Sequence, residues 1–477
     1  MFLCRESELS KLNNHYNDDY FECVIIYGRR RIGKTALINE FVKDKDVIYF
    51  PALNSNSQDN LIALSKSINN YIGLTNIYET PVFQSFDSAF NQITTISKDK
   101  RVIFVIDELP SLVNSDNSIL SRLQHLIDHD WSNTKLFLIL CGSSMSFMEN
   151  EVLSEKSPLF GRRTMQLHVK PLSYLDTARF NPHLSFEDNT LIYGITGGIP
   201  HYINKLSVKT SIKDALINNF FDTSSYLFEE PINLLKQELR QPSTYNSIIT
   251  AIANGNAKLN NIANATHMDT STVNKYLTTL INMGIVKKEE PIIDKSHKKV
   301  LYRINDYFFK FWYRFVPNNM ISISSETISN IYDAVIGSYL SDYMGLVFED
   351  ICKEYLVNYA KDLPFQINKI GQWWGNDQKT KKEVQLDIVA IKEKSNNETS
   401  KTSFIIGSCK YTNEKVDIDE YKLIKEYSSI ITNDNDICYY YMFSKSGFTD
   451  ELLKLSNENN NIRLIPLNEL YASLRKI

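Results

Sequence analysis

The chain has 477 residues, 43% hydrophobic and 23% charged, with 52 Lys+Arg against 56 Asp+Glu and a net charge of −4. That length suits about three domains of ordinary globular composition. The balanced charge excludes a global basic field, so any nucleic-acid contact must be local.

No apolar run approaches the roughly 18 residues of a membrane helix, and Met1-Phe2-Leu3-Cys4 runs into Arg5-Glu6 without a signal-peptide pattern. Cys4, Cys23, Cys141, Cys352, Cys409 and Cys438 form no C-x-x-C pair, and three of them fall in apparent strands. They read as reduced, buried thiols of a cytoplasmic protein, not as disulfides or a zinc site.

Near the start, Val24-Ile25-Ile26-Tyr27 predicts a buried strand and Ala36 to Val42 has helical spacing. Between them Gly28-Arg29-Arg30-Arg31-Ile32-Gly33-Lys34-Thr35 has the form G-x-x-x-x-G-K-[ST]. Strand, glycine loop and helix in that order predict a phosphate cradle for ATP. Gly28 and Gly33 let the backbone fold round a phosphate, and the loop N–H groups with the helix N-terminus attract the anion. Lys34 would reach the β- and γ-phosphates, and Thr35 would offer a hydroxyl to Mg²⁺. Arg29, Arg30 and Arg31 would touch phosphate or be solvated.

Val102 to Ile106 predicts a buried parallel strand ending in Asp107-Glu108. Carboxylates at that edge suit Mg²⁺ (Asp107) and orientation of the attacking water (Glu108). Lys135 to Cys141 predicts a further strand, followed by Gly142-Ser143-Ser144. With Val47 to Phe50 and Met165 to Val169, five strands form one sheet, and Gly161-Arg162-Arg163 precedes the last.

Phe2-Leu3-Cys4-Arg5-Glu6-Ser7-Glu8-Leu9, the glycine loop, Ile106-Asp107-Glu108, Leu140 to Ser144, Phe160 to Arg163 and Gly197-Gly198-Ile199-Pro200-His201-Tyr202 together resemble archaeal-type AAA-like P-loop ATPases. The resemblance covers essentially the whole chain. It implies that Arg5 and Pro200 belong to the nucleotide-binding set, with Pro200 near the adenine, and that Ser143 senses the γ-phosphate. It also implies that Arg162 or Arg163 acts as an arginine finger. A finger acting on a neighbour would imply a homo-oligomer, whereas one acting within the chain would not. A surface ion pair is the other reading of these two arginines.

Residues from about Ser173 to Glu238 have a helical period and suit a lid and bridge. Next come helices at Ile248 to Ala253, Leu259 to Ala263 and Val273 to Ile281, the last capped near Asp269 and closed by Gly284. Two wing strands follow, at Ile285 to Pro291 and Lys298 to Ile304, in winged helix-turn-helix order. The third helix would expose Ser271, Thr272, Asn274, Lys275 and Thr278, and the wing carries Lys287, Lys288, Lys298 and Lys299. DNA binding and internal packing both remain open for this module. The aromatic run Tyr302 to Phe315 suits a buried interdomain helix better than a base-stacking platform.

The C-terminal part predicts a long helix over Val335 to Ala360 and strands at Val384 to Ala390 and Ser403 to Tyr411. Helix Glu349, strand Asp387 and the strand residue Lys410 resemble the restriction-endonuclease-like superfamily, in which two carboxylates hold Mg²⁺ beside a lysine. The acid expected two residues before Lys410 is Ser408. A serine is a poor Mg²⁺ ligand, and Glu349 or Glu383 would have to compensate.

The expected architecture is therefore an α/β P-loop NTPase with a parallel sheet and helical lid, then a winged helix-turn-helix, then an α/β restriction-endonuclease-like domain. The expected boundaries are 1–170, 171–238, 239–316 and 317–477. The expected function is an ATP-driven switch for the downstream modules, with DNA as a candidate partner. The alternatives are an ATP-gated Mg²⁺-dependent nuclease and a nucleotide-binding scaffold.

Overall fold

The computed structural model describes residues 2–74, 81–206, 208, 210–293, 299–325, 327–377, 380–392 and 401–476. It divides into two compact units, Met1–Pro171 with Ile199–His201, and Leu172–Gly198 with Tyr202–Ile477.

The first unit is built on a sheet of β1 (Glu22–Tyr27), β2 (Val47–Pro51), β3 (Val102–Asp107), β4 (Leu136–Gly142) and β5 (Met165–His168), in the order β2-β3-β4-β1-β5. Every neighbouring pair is parallel. Parallel strands need helical crossovers that cover both faces, which is why β1, β3 and β4 are buried along their whole length. The register pairs Tyr27 with Gly142 and Pro51 with Asp107. The carboxyl ends of four strands therefore share one edge.

The second unit begins with helices, among them Phe186–Thr196 and Tyr226–Glu238. Helices Pro242–Ala253, Leu259–Thr266 and Thr270–Asn282 and the antiparallel strands β6 (Val286–Glu289) and β7 (Leu301–Ile304) follow, the winged helix-turn-helix order. Asp269 caps the third helix by accepting from Thr272 N at 2.8 Å, a bond that satisfies one of the orphan donors of its first turn. Lys298 lies outside the described residues. Helix Tyr307–Phe315 buries Phe308, Phe309, Phe311, Trp312, Tyr313 and Phe315, so its aromatic rings form core and not a stacking surface.

The long C-terminal helix spans Ser338–Asn358, later than its apolar period suggests, because Asp333–Gly337 forms a wider turn with i→i+5 bonds. A mixed five-stranded sheet follows, of β8 (Lys369–Asn376), β9 (Glu383–Lys392), β10 (Ser403–Lys410), β11 (Ile437–Ser444) and β12 (Ile462–Pro466), in the order β12-β11-β10-β9-β8. β8–β9 and β9–β10 are antiparallel, while β10–β11 and β11–β12 are parallel. All six cysteines are free, and four lie in strands: Cys23, Cys141, Cys409 and Cys438. Among the described residues no helix is long and apolar enough to cross a membrane.

Gly198 shows how tightly the turn after Phe186–Thr196 is drawn. Its φ is +67°, and a Cβ there would lie 2.1 Å from the Leu172 carbonyl oxygen, whose own N–H donates to the Gly198 carbonyl at 2.9 Å. Gly198→Ala is expected to cost about 2–4 kcal/mol in urea unfolding. Gly197→Ala, at φ +62° with no atom nearer than 3.6 Å, should cost about 1–2 kcal/mol, the left-handed penalty alone. Equal losses would refute the close-approach argument.

Candidate functional site

The glycine loop leaves β1 at Tyr27 and enters helix Lys34–Val42 with Gly33 as its N-cap. A Cβ on Gly28 would lie 2.5 Å from the Val169 carbonyl oxygen, so only glycine lets the loop pass the end of β5. Lys34 is buried, and its ammonium donates to the Gly28 and Arg29 carbonyls at 2.9 and 3.1 Å. Burial lowers the Lys34 pKa, with Cys141, Glu108 and Asp107 pulling the other way. An anion within its reach would restore what burial takes away.

Arg5 is also buried. Its guanidinium donates to the Ile32 carbonyl at 3.3 Å and the Lys170 carbonyl at 2.7 Å, and pairs with Glu8 at 2.9 Å. It fixes the loop against the segment after β5. Pro200 sits beside the same loop: a Cβ on Gly33 would lie 3.8 Å from its ring.

Asp107 ends β3, buried, and accepts from Thr35 Oγ1 at 3.1 Å and from the Tyr49 hydroxyl at 2.6 Å. Burial and then Asp107 raise the Tyr49 pKa, so this phenol remains a donor. A hydroxyl and a carboxylate so close are oxygen donors of the kind Mg²⁺ takes, and Thr35 with Asp107 fits that ion. Tyr49 carries no sequence signature for this role. It reaches Asp107 because β2 is the strand neighbour of β3.

Glu108 adopts φ 60°, ψ 51°, in the left-handed region, and is the N-cap of helix Leu109–Ser115. For a residue with a Cβ that backbone costs about 1–2 kcal/mol, a strain typical of functional positions. One Glu108 oxygen accepts from Ser143 N at 3.4 Å. The Ser143 hydroxyl is buried and has no hydrogen-bond partner among the described residues. A buried orphan hydroxyl is rare, and one at the tip of β4 suits contact with a phosphate oxygen.

Arg162 makes a two-pronged pair with Asp128, Nε and Nη2 each 2.7 Å from a carboxylate oxygen, and donates to the Pro158 and Phe160 carbonyls at 3.0 and 3.1 Å. Arg163 donates to the Leu153 carbonyl at 3.0 Å. In this conformation both arginines are engaged within their own chain.

The second unit gathers another set. Glu349 on helix Ser338–Asn358 is buried and accepts from Gln372 Nε2 on β8. Asp387 on β9 accepts from Cys409 N at 2.9 Å. Burial raises the pKa of both carboxyls, and the charge of Asp387 raises that of Glu349 further.

Ser408 donates to Glu420 at 2.6 Å, and Lys410 pairs with the same oxygen at 3.0 Å. Burial works against the Lys410 charge, but Glu420 and Asp387 more than offset it and raise its pKa. Glu420 thus brings a carboxylate to the place where the strand carries serine. Glu383, the candidate from sequence, is exposed at the start of β9. The ligand oxygens of Glu349, Asp387 and Glu420 do not all approach within 4.8 Å of one another; among the described residues only His15, Asp18 and Glu22 form such a trio. An ion at the acidic centre would take one or two carboxylates and keep water, as Mg²⁺ commonly does.

On the winged helix, Ser271, Asn274, Lys275 and Thr278 are exposed and Thr272 is partly buried. Lys287 pairs with Glu289 and Asp350 at 2.7 and 3.2 Å, and Lys288 pairs with Glu290 at 2.8 Å. Two of the wing lysines are therefore committed to carboxylates.

Residues 2–206 match the family described as an ATPase domain predominantly from Archaea. Residues 247–290 match the IclR helix-turn-helix domain, and 312–421 a family of archaeal and bacterial proteins of unknown function. An uncharacterized protein of Methanocaldococcus jannaschii, MJECL04, is 36% identical over 396 residues, 82% of this chain and 85% of that protein. The uncharacterized ATP-binding protein MJ0074 of the same organism is 26% identical over 259 residues, 45% of this chain and 72% of that one. Among solved structures, the Walker-type ATPase PABY2304 of Pyrococcus abyssi aligns with a TM-score of 0.49 at 17% identity, over 66% of this chain and 96% of that one. With a relative matched along most of both sequences and the loop, sheet and winged helix in the expected order, the chain belongs to the archaeal-type P-loop ATPase family with a winged helix.

Proposed function

We propose that this chain hydrolyses ATP and that turnover in the first unit switches the working state of the second. The observation that supports this reading is the gathering of Lys34, Thr35, Asp107, Glu108 and Ser143 at one edge of the parallel sheet. Lys34 would exchange its loop carbonyls for β- and γ-phosphate oxygens, and Ser143 would donate to the γ-phosphate. Thr35 and Asp107 would hold Mg²⁺, which when bound neutralises charge on the β- and γ-oxygens. Glu108 would accept a proton from water as its oxygen attacks the γ-phosphorus and the bond to the bridging oxygen breaks, giving ADP and phosphate. Arg5 and Pro200 would position the loop.

Within this reading the functional segments are 1–170, 171–238, 239–316 and 317–477. Arg162 could serve as a finger for a second copy only by leaving Asp128. The test is Mg²⁺-dependent ATP turnover by the purified full chain, with Arg162→Ala and Arg163→Ala alongside. No turnover by the wild type would leave only a nucleotide-binding scaffold. Turnover untouched in both arginine variants would end the finger proposal.

A second reading is favoured by Glu420 standing against Ser408 and Lys410. Glu349, Asp387 and Glu420 with Lys410 would form a restriction-endonuclease-like centre for Mg²⁺-dependent cleavage of DNA, a substrate that the helix-turn-helix module also suits. Supercoiled, nicked and linear DNA incubated with Mg²⁺ would be cut by the wild type and not by Asp387→Ala. No cutting of any form by the wild type would sink this reading and leave the switch.

A further inference from the structure

A cavity of about 400 Å³ opens within the second unit, lined from β6, β7, helix Tyr307–Phe315 and helix Ser338–Asn358. Its size is that of sites for small organic ligands. Four cations, Lys287, Arg303, Lys310 and Arg314, line it with three carboxylates, Glu289, Asp342 and Asp350. Lys287 is held by Glu289 and Asp350, and Arg303 Nε lies 3.2 Å from Glu289.

Lys310 and Arg314 stand apart. They lie four residues apart on helix Tyr307–Phe315 and share one face. Neither has a carboxylate in ion-pair range among the described residues. The Lys310 ammonium lies only over the Tyr307 and Tyr343 rings, 5.8 and 5.3 Å from their centres. Burial lowers its pKa to about 8 against the pull of Asp350, and the cations Lys287 and Arg303 add to the fall. A largely desolvated cation without an ion-pair partner is costly, and an incoming anion relieves that cost.

The cavity has a second unmet demand. Gln372 lines it, and its side-chain oxygen is buried without a hydrogen-bond partner while its nitrogen donates to Glu349. Tyr302 adds a ring to those of Tyr307 and Tyr343. A ligand that meets these demands carries an anion at one end, a planar body, and an N–H donor.

We propose that this cavity binds a small organic phosphate of the nucleoside-monophosphate class, its phosphate on Lys310 and Arg314 and its base N–H on Gln372. The experiment is calorimetric titration of the full chain with AMP, GMP, CMP, UMP and inorganic phosphate, without Mg²⁺. A Lys34→Ala background removes the glycine loop as a competing site. Saturable binding of at least one nucleotide is expected, weakened tenfold or more by Lys310→Gln and by Arg314→Gln, with inorganic phosphate far weaker.

Absence of binding by all four nucleotides, or affinity unchanged in both variants, would overturn the proposal. Inorganic phosphate binding as tightly as the best nucleotide would also overturn it, since the cavity would then be a bare anion site. Arg314 is exposed, so Arg314→Gln decides the matter even if Lys310→Gln does not fold.

Discussion

Lys34→Ala is expected to lower Mg²⁺-dependent ATP turnover about a hundredfold or more and to weaken ATP binding as well. The first effect follows from the loss of a fixed positive charge where negative charge builds up on the transferring phosphoryl group, a loss typically worth two to three orders of magnitude. The second follows from the loop itself. The ammonium ties down the Gly28 and Arg29 carbonyls, so its removal should also loosen the backbone whose N–H groups would face the phosphates in the proposed reaction. Glu108→Gln should separate the two effects. Gln is isosteric and can still accept from Ser143 N, but it is a far weaker base. Binding of a fluorescent ATP analogue should stay within about threefold of wild type while turnover falls by about two orders of magnitude or more. Turnover unchanged in both variants would place hydrolysis elsewhere or end the ATPase reading.

Asp387→Asn is expected to stabilise the Mg²⁺-free chain while weakening its response to Mg²⁺. Asp387 sits near Glu349 in a buried setting, and both carboxyls are pushed up from their ordinary range, first by burial and then by charge. A carboxyl raised on folding binds more protons in the folded state than in the unfolded one. Its contribution is most favourable at low pH and is lost as pH rises through the folded value. Near neutral pH, Asn removes this cost and keeps an oxygen for Cys409 N. A gain in stability is expected, read as a higher melting temperature. The gain should shrink as pH falls toward the ordinary carboxylate range. Without nucleotide, millimolar Mg²⁺ should raise the melting temperature of the wild type more than that of Asp387→Asn. A variant less stable than wild type at neutral pH would mean that the carboxylate is fully satisfied by partners and not held under strain.

The two centres differ in how much of them could be read from the chain. The glycine loop, Asp107-Glu108 and the tip at Ser143 lie at the ends of strands whose apolar runs are unmistakable. Their spacing along the sequence already implies one edge of one sheet. Tyr49 and Asp128 were invisible because each meets its partner through packing: Tyr49 through the neighbouring strand, Asp128 through a helix end that reaches Arg162. At the acidic centre, sequence pointed to the gap at Ser408 but not to its neighbour. Glu420 reaches Ser408 and Lys410 because the crossover between the parallel strands β10 and β11 lays helix Ile418–Ser428 beside β10. The acidic run Asp417, Asp419 and Glu420 was the one available hint, and it reads equally well as the charged first turn of a helix.

What the sequence determined by itself is local and periodic: strand–loop–helix at Gly28 to Thr35, the five apolar strands of the first sheet, the helix order of the winged module and the Asp269 cap. These features depend on neighbours a few residues away, which the sequence states directly. Tertiary structure decided which charges are spent and which are not. Lys287 and Lys288 look like a basic wing in sequence yet are paired, whereas Lys310, inside an aromatic run that reads as core, faces a cavity and, among the described residues, has no carboxylate in ion-pair range. A charge's state depends on what lies within a few ångströms and on how much water remains, and both are set only when distant segments of the chain pack together.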